Sequence, residues 1–406
     1  MEFHYPKTLS DFCRKEFLFY LCTSKIMVKK MKKIEMVDLK SQYLRIKTEI
    51  DSAINEVIEN TAFINGKHVE TFSENLKTYL GVNYVVPCAN GTDALQVALM
   101  ALNLKTGDEV IVPSFTFIAS AEVIGLLGLR PVMVDVDYDN FNVTAKNIEK
   151  AITVNTKAII PVHLFGQASQ MEEIMLLAKK YDLYVVEDNA QALGADYIFD
   201  SGKRQKLGTI GHIGCTSFFP SKNLGCYGDG GAVFTNDETL AKRLKMICNH
   251  GSTVKYHHEV LGVNSRLDTL QAAILDVKLK YLNTFNKLRY EAAQRYSYAF
   301  KDISGIITPK ESTFSTHVYH QYTLKVLDGK RDELKEFLAK HGIPAMVYYP
   351  IPLHKQEAFL QIAHQSGDMS VAEKLCDEVL SLPMHTELDL STIAFIISKV
   401  MSFYGK

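Results

Sequence analysis

Between residues 84 and 235, apolar runs of strand length alternate with helical stretches, and this alternation constrains the fold more than any other feature of the chain. The runs lie at 84–87, 109–112, 130–134, 158–162, 183–187, 214–219 and 231–235, with helical patterns at 93–101, 120–127 and 171–180 between several of them. Parallel strands need long crossovers, and helices supply them. The pattern therefore predicts an α/β fold with a mainly parallel sheet covered by helices on both faces. Upstream, Ile46, Ile50, Ile54 and Ile58 recur every fourth residue, as on one helix face, and Asn65-Gly66 then breaks the chain. Downstream, 268–300 contains neither Gly nor Pro and reads as one long helical stretch. After Ser304 the pattern becomes a small α/β unit: strand 321–326, helix 331–340, strand 345–348, and helices 370–381 and 389–403. The expected organisation is an N-terminal extension at 1–35, a large domain at 36–285 and a small C-terminal domain at 286–406.

Composition narrows the function classes. Lys and Arg number 45 against 46 Asp and Glu, so no net field favours nucleic acid or an acidic membrane surface. The seven cysteines form no CxxC pair, which suits a reducing, cytoplasmic setting without a disulfide framework or a zinc site. No apolar run approaches the ~20 residues that span a bilayer. Residues 1–30 mix aromatic and basic side chains without period and lack a small-residue cleavage pattern, so they read as an upstream extension and not as a targeting peptide.

Three segments carry chemistry. Asn90-Gly91-Thr92-Asp93 follows a strand and opens a helix; free N–H groups and the positive dipole end there suit a phosphate, although the same residues also make a good turn and N-cap. In Val185-Val186-Glu187-Asp188-Asn189-Ala190-Gln191 an apolar strand ends in carboxylates, at the edge where open parallel sheets bind ligands. Asp188 could serve a cationic partner such as a protonated pyridine nitrogen, or could merely cap the next helix. Finally, Lys222 stands between the 214–219 strand and the glycine-rich Gly225–Gly231 turn. A lysine removed from water loses its proton more easily, and the neutral amine attacks an aldehyde to form a Schiff base. The glycines lack the GxGxxG spacing of a dinucleotide site. His163, after a buried strand, reads as a satisfied core histidine. His257 and His258 have no carboxylate or cysteine at ligand spacing, so no metal site is expected.

Taken together, these segments resemble the DegT/DnrJ/StrS family of sugar aminotransferases, enzymes of the aspartate-aminotransferase-like fold (fold type I) that use pyridoxal 5'-phosphate (PLP). The similar motifs are Cys88–Leu95, Pro113–Phe117, Pro161–Gln167, the Asp188 and Lys222 segments, and Gly262–Asp268. The resemblance runs from about residue 36 to the C-terminus. It implies that Lys222 holds the cofactor covalently and moves the proton between cofactor and substrate carbons, and that Asp188 keeps the pyridine nitrogen protonated. It also implies that Gln191 contacts the phenolic oxygen, that Phe117 stacks on the ring, and that Gly91, Thr92 and Ser217 hold the phosphate. Asn264 would reach that phosphate from the neighbouring subunit of a homodimer with shared sites. Without the resemblance, Phe117 is one more apolar residue in a core strand and Asn264 closes a turn.

The 220–231 loop, Asn249–Ser252, Lys255–His258 and Tyr349–His354 are similar to the branch that aminates carbon 3 of the sugar, especially the enzymes acting on UDP-2-acetamido-2-deoxy-3-oxo-glucuronate. Glutamate is the implied donor and a nucleotide sugar the implied acceptor, with Lys255, Tyr256, His257, Tyr319 and Gln321 as substrate contacts. Val254 stands where the glucuronate type would have arginine. Two alternatives stay open: an enzyme for dTDP-3-keto-6-deoxyhexoses, and a non-enzymatic PLP-fold regulator. A family dehydratase would have histidine in place of Lys222.

Overall fold

Residues 33–406 are described by the structure, a computed structural model; the segment read as an extension lies, up to residue 32, outside the described residues. Its main sheet runs in the order β1-β9-β8-β5-β4-β2-β3-β14. These strands are β1 (Tyr84–Cys88), β2 (Glu109–Pro113), β3 (Arg130–Val134), β4 (Thr156–Ile159), β5 (Tyr184–Asp188), β8 (Ile213–Ser217), β9 (Gly231–Thr235) and β14 (His364–Gln365). Every pairing is parallel except the two made by β9, which lies antiparallel between β1 and β8. The strands β2 and β9 are buried along their whole length, as expected of a sheet with both faces covered. One face packs against helices Gly91–Ala101, Ala119–Leu126 and Glu238–Cys248; Met171–Tyr181 lies on the other.

Two short hairpins stand outside this sheet, β6 (Asp196–Ile198) with β7 (Arg204–Lys206), and β10 (Ser252–Val254) with β11 (His257–His258). A third sheet joins β12 (Ile306–Ile307), β13 (Tyr322–Val326) and β15 (Val379–Leu382), all antiparallel. Helices Arg331–Lys340 and Leu390–Phe403 share its core with Phe300 and Tyr296.

Local departures from the sequence reading have physical causes. The stretch 268–300 is two helices, Thr269–Leu279 and Leu282–Phe300, parted at Lys280-Tyr281. The helix expected at 370–381 stops at Glu378, because Val379–Leu382 pairs with β13 as a fully buried strand. A short apolar run cannot be told from a buried helix end by periodicity alone. Strand 345–348 reduces to a single bridge, Met346 to Ser381. Ile46 and Ile50 are buried, but Ile58 is half exposed, at 50%. Four residues advance about 400° around a helix, so a strict spacing of four drifts off the buried face.

Candidate active site

Sheet topology gathers the three sequence segments. Because β1, β8, β5 and β2 are mutually parallel, their carboxyl ends share one edge. Gly231 opens β9 with Cys88 of β1 on one side and Ser217 of β8 on the other. A Cβ on Gly231 would lie 2.3 Å from the Asn90 carbonyl oxygen, and one on Gly91 would lie 2.6 Å from Ser217 Cβ. Both positions therefore require glycine, and their bare backbone brings the Asn90–Thr92 turn against Ser217. Asn90 is also a true N-cap: its side-chain oxygen accepts from Asp93 N at 2.8 Å. The turn and N-cap reading of this segment holds, and it leaves room for a phosphate at the same helix end.

Asp188 ends β5 and is 6% exposed. Oδ1 accepts from Ala190 N at 3.1 Å, and Oδ2 accepts from Ser120 Oγ at 2.7 Å. Each carboxylate oxygen can accept about two hydrogen bonds, so capacity remains for a cationic N–H. The neighbouring Glu187, wholly buried, takes a different part. It accepts from Gly208 N, Ile210 N and Gly211 N and from His163 Nε2 at 2.9 Å. Ser169 N donates to His163 Nδ1, so Nε2 carries the proton given to Glu187. His163 is the satisfied core histidine expected of it, and its backbone N donates to Asp188 O at 3.0 Å, fixing the strand end.

Lys222 follows β8 in the tight 219–225 turn, its backbone N donating to Phe219 O at 2.8 Å. Its side chain is partly buried, and its amine has no hydrogen bond or ion pair among the described residues. Burial pushes the amine down to about 8 from the usual 10.5, against a smaller upward pull from the Asp188 charge. An unpaired amine that shares its proton with water near neutral pH is what a lysine nucleophile needs.

Phe117 lies beyond the end of β2 and is 52% exposed, while Phe115 takes the core position. The plain core-strand reading of Phe117 therefore does not hold. Gln191 uses its amide oxygen for Phe165 N at 2.8 Å and donates through Nε2 to the Tyr349 hydroxyl at 3.2 Å. Tyr349, whose ring lies 6.2 Å from that of Phe117, opens the Tyr349–His354 motif, but its contact with Gln191 has no signal in the sequence.

The remaining candidates fall elsewhere. Lys255, Tyr256 and His257 sit on the exposed β10–β11 hairpin, with Tyr256 81% exposed. Asn264 is exposed too, while the adjacent Ser265 accepts from Ala89 N at 3.0 Å and ties this segment to the phosphate turn of its own chain. Tyr319 is buried, its hydroxyl donating to Glu311 and its ring stacked on His317 at 3.8 Å; Gln321 is also buried. Neither presents an open face.

These residues fit PLP: a glycine cradle beside Ser217 for the phosphate, a buried carboxylate with spare acceptor capacity for the pyridine nitrogen, an open aromatic face and an unpaired amine. Fold and site together define a PLP-dependent aminotransferase. Residues 44–401 match the DegT/DnrJ/EryC1/StrS aminotransferase family, and the chain belongs to it. It is 46% identical over 363 residues (89% of this chain, 98% of the relative) to a UDP-2-acetamido-2-deoxy-3-oxo-D-glucuronate aminotransferase of Pseudomonas aeruginosa. It is 45% identical, over 90% of this chain and 97% of the relative, to a UDP-N-acetyl-3-dehydro-alpha-D-glucosamine 3-aminotransferase of Acidithiobacillus ferrooxidans. A "pleiotropic regulatory protein" of Geobacillus stearothermophilus is 44% identical over 91% of this chain and 98% of its own length. Among solved structures, S. venezuelae DesV in complex with a ketimine intermediate superposes with a TM-score of 0.88 at 37% identity, covering 93% of this chain and all of that one. Among the described residues no helix is long and apolar enough to cross a membrane.

Proposed function

We propose that this enzyme transfers an amino group from glutamate to carbon 3 of a nucleotide-linked keto sugar, with UDP-2-acetamido-3-keto sugars ahead of dTDP-6-deoxy sugars, in the supply of surface-polysaccharide precursors. The observation that carries the reading is the Lys222 amine, desolvated, unpaired and under the influence of the Asp188 charge. The two relatives that act on UDP-3-keto sugars support the acceptor class. Val254, uncharged and 61% exposed, weakens the case for recognition of a sugar carboxylate at this position.

PLP, when bound, supplies the electron sink. Lys222 Nζ takes a proton from the donor's α-carbon and later delivers one to carbon 3 of the sugar. Asp188 holds the proton on the pyridine nitrogen. Gly91, Thr92 and Ser217 bind the phosphate, Phe117 covers one ring face, and Gln191 Nε2, with one N–H given to the Tyr349 hydroxyl, offers its second N–H to the phenolic oxygen, since its Oε1 is already engaged. Asn264, exposed in this chain, reaches the partner subunit's phosphate in a two-fold dimer. Lys255, Tyr256 and His257 on the hairpin meet the nucleotide sugar. The buried Tyr319 and Gln321 act from behind it, by shaping the wall.

A panel of UDP- and dTDP-linked 3-keto and 4-keto sugars, supplied with glutamate and read by mass spectrometry, tests this. Amination of the UDP-2-acetamido-3-keto sugar is expected. Efficient amination of only 4-keto sugars would overturn the subtype, and PLP binding without turnover of any sugar would favour a regulator. Full activity from a proven monomer would remove Asn264 from the site.

A further inference from the structure

We propose that Ser120 is a positioning residue of the active site, its buried hydroxyl fixing the rotation of the Asp188 carboxylate toward the pyridine nitrogen; this rests on the role assigned above to Asp188. Ser120 is 0% exposed, in the first turn of helix Ala119–Leu126. Its Oγ lies 2.7 Å from Asp188 Oδ2. An ionised carboxylate only accepts, so the serine proton points to Asp188. Thr116 Oγ1, also buried, lies 3.4 Å from Ser120 Oγ and can donate to the oxygen that Ser120 leaves free. The result is a directed chain, Thr116 to Ser120 to Asp188, with no water needed to complete it.

The placement has a second consequence. Ser120 N donates to Phe117 O at 3.3 Å, so one turn of backbone carries both the exposed ring of Phe117 and the clamp on Asp188. That turn is held from outside. Ser114 N donates to Val134 O, Leu353 N donates to Ser114 O, and Ser114 Oγ meets His354 Nδ1 at 2.6 Å. The two groups that would grip the cofactor from its face and from its nitrogen are thus set by a single short segment. With the Ala190 N–H on Oδ1 and Ser120 on Oδ2, both carboxylate oxygens are tethered. The group cannot turn about its Cβ–Cγ bond without breaking a charge-assisted hydrogen bond, the stronger kind.

The test loads the Ser120→Ala, Thr116→Val and Asp188→Asn holoenzymes with ¹⁵N-labelled PLP. It reads the ring nitrogen resonance, the PLP dissociation constant, and kcat and KM for the sugar nucleotide. Ser120→Ala should move the nitrogen resonance from the pyridinium toward the neutral position, weaken PLP binding several-fold and lower kcat about tenfold at unchanged KM, as the loss of one charge-assisted hydrogen bond implies. Thr116→Val should shift the same signals in the same direction by less, and it serves if Ser120→Ala does not fold. Ser120→Thr, which keeps the hydroxyl, should restore the resonance. A nitrogen resonance unmoved in Ser120→Ala and Thr116→Val, but moved in Asp188→Asn, would overturn the role of Ser120 alone. A resonance unmoved in Asp188→Asn as well would overturn the role of Asp188 on which it rests.

Discussion

Two lysines in this molecule have amines pushed down to the same value in different surroundings. Lys222, in the turn after β8, and Lys278, in the last turn of helix Thr269–Leu279, are both pushed by burial to about 8. For each, the lowered value corresponds to roughly 3 kcal/mol against the charged form. Lys278 is 1% exposed, donates to Gly225 O at 2.5 Å and lies 5.2 Å over the Tyr227 ring. Lys222 has no such partner among the described residues and keeps some accessible surface. A depressed pKa therefore marks both residues and distinguishes neither; what separates the proposed nucleophile from a strut is whether the amine's donors are already spent. The two are also linked, because Gly225, which Lys278 holds, lies three residues beyond Lys222. A Cβ on Gly225 would come within 2.3 Å of Pro220 O, so the turn carrying Lys222 is closed tightly on itself.

The sharpest way to break the comparison is to exchange the roles. Lys222→Ala should lower transamination by at least about 10²–10⁴-fold, the range for loss of a positioned acid–base group, while the fold survives. Borohydride reduction of the wild-type holoenzyme followed by peptide mapping should place the cofactor on Lys222; recovery on Lys278 would invert the assignment. Second in size is the effect of pH. With the Lys222 amine titrating near 8, the neutral fraction, and with it the rate at which apoenzyme takes up PLP covalently, should fall about fiftyfold from pH 8 to pH 6 and level off above pH 9. A rate flat across that range in stopped-flow absorbance would mean that the amine is already neutral. The same shift has a stability sign. Both lysines bind fewer protons folded than unfolded between about pH 8 and 10.5, so their burial costs most below pH 8 and the cost is relieved as pH rises through that window. The smallest effect expected is that of Lys278→Met, which removes the strut but not the nucleophile. PLP should still attach to Lys222 stoichiometrically, with kcat lowered only about fivefold, as for a hydrogen bond of roughly 1 kcal/mol. Loss of covalent PLP in that variant would show Lys278 to be more than support.

The comparison also marks what a sequence can disclose. Lys222 was legible because it stands alone between a strand and a run of glycines, and Asp188 because it ends an apolar strand. Lys278 was not: a lysine near the end of a helix is the ordinary partner of the helix dipole, and nothing local says that Gly225 will close over it. Ser120 was silent, since it acts through a contact 68 residues distant in the chain, and Tyr349 was seen only as part of the Tyr349–His354 motif, without its contact 158 residues away. Glu187 was seen, but not its separate work of gathering the 208–211 backbone. The sheet strands were found within two or three residues, because continuous apolar runs mark strands buried on both faces. The edge strand β14, two residues of His and Gln, has no such mark. Val379–Leu382 carries a helix-compatible pattern that only pairing with β13 resolves.

Gly231 has one further bearing, on how this protein can change over generations. It is the point where the antiparallel strand β9 passes between Cys88 and Ser217 and meets the Asn90 carbonyl, with no room for even a methyl group. If the exposed 254–258 hairpin meets the sugar as proposed, selection for a new acceptor can rework it one substitution at a time, for Val254 and Tyr256 have open space around them. The close packing of Gly231 on the Asn90 turn allows no such gradual path. Any change of residue at 231 strikes the sheet and the Asn90 turn together, so on the proposed reading variation in what the enzyme accepts should accumulate at the hairpin while this position stays glycine.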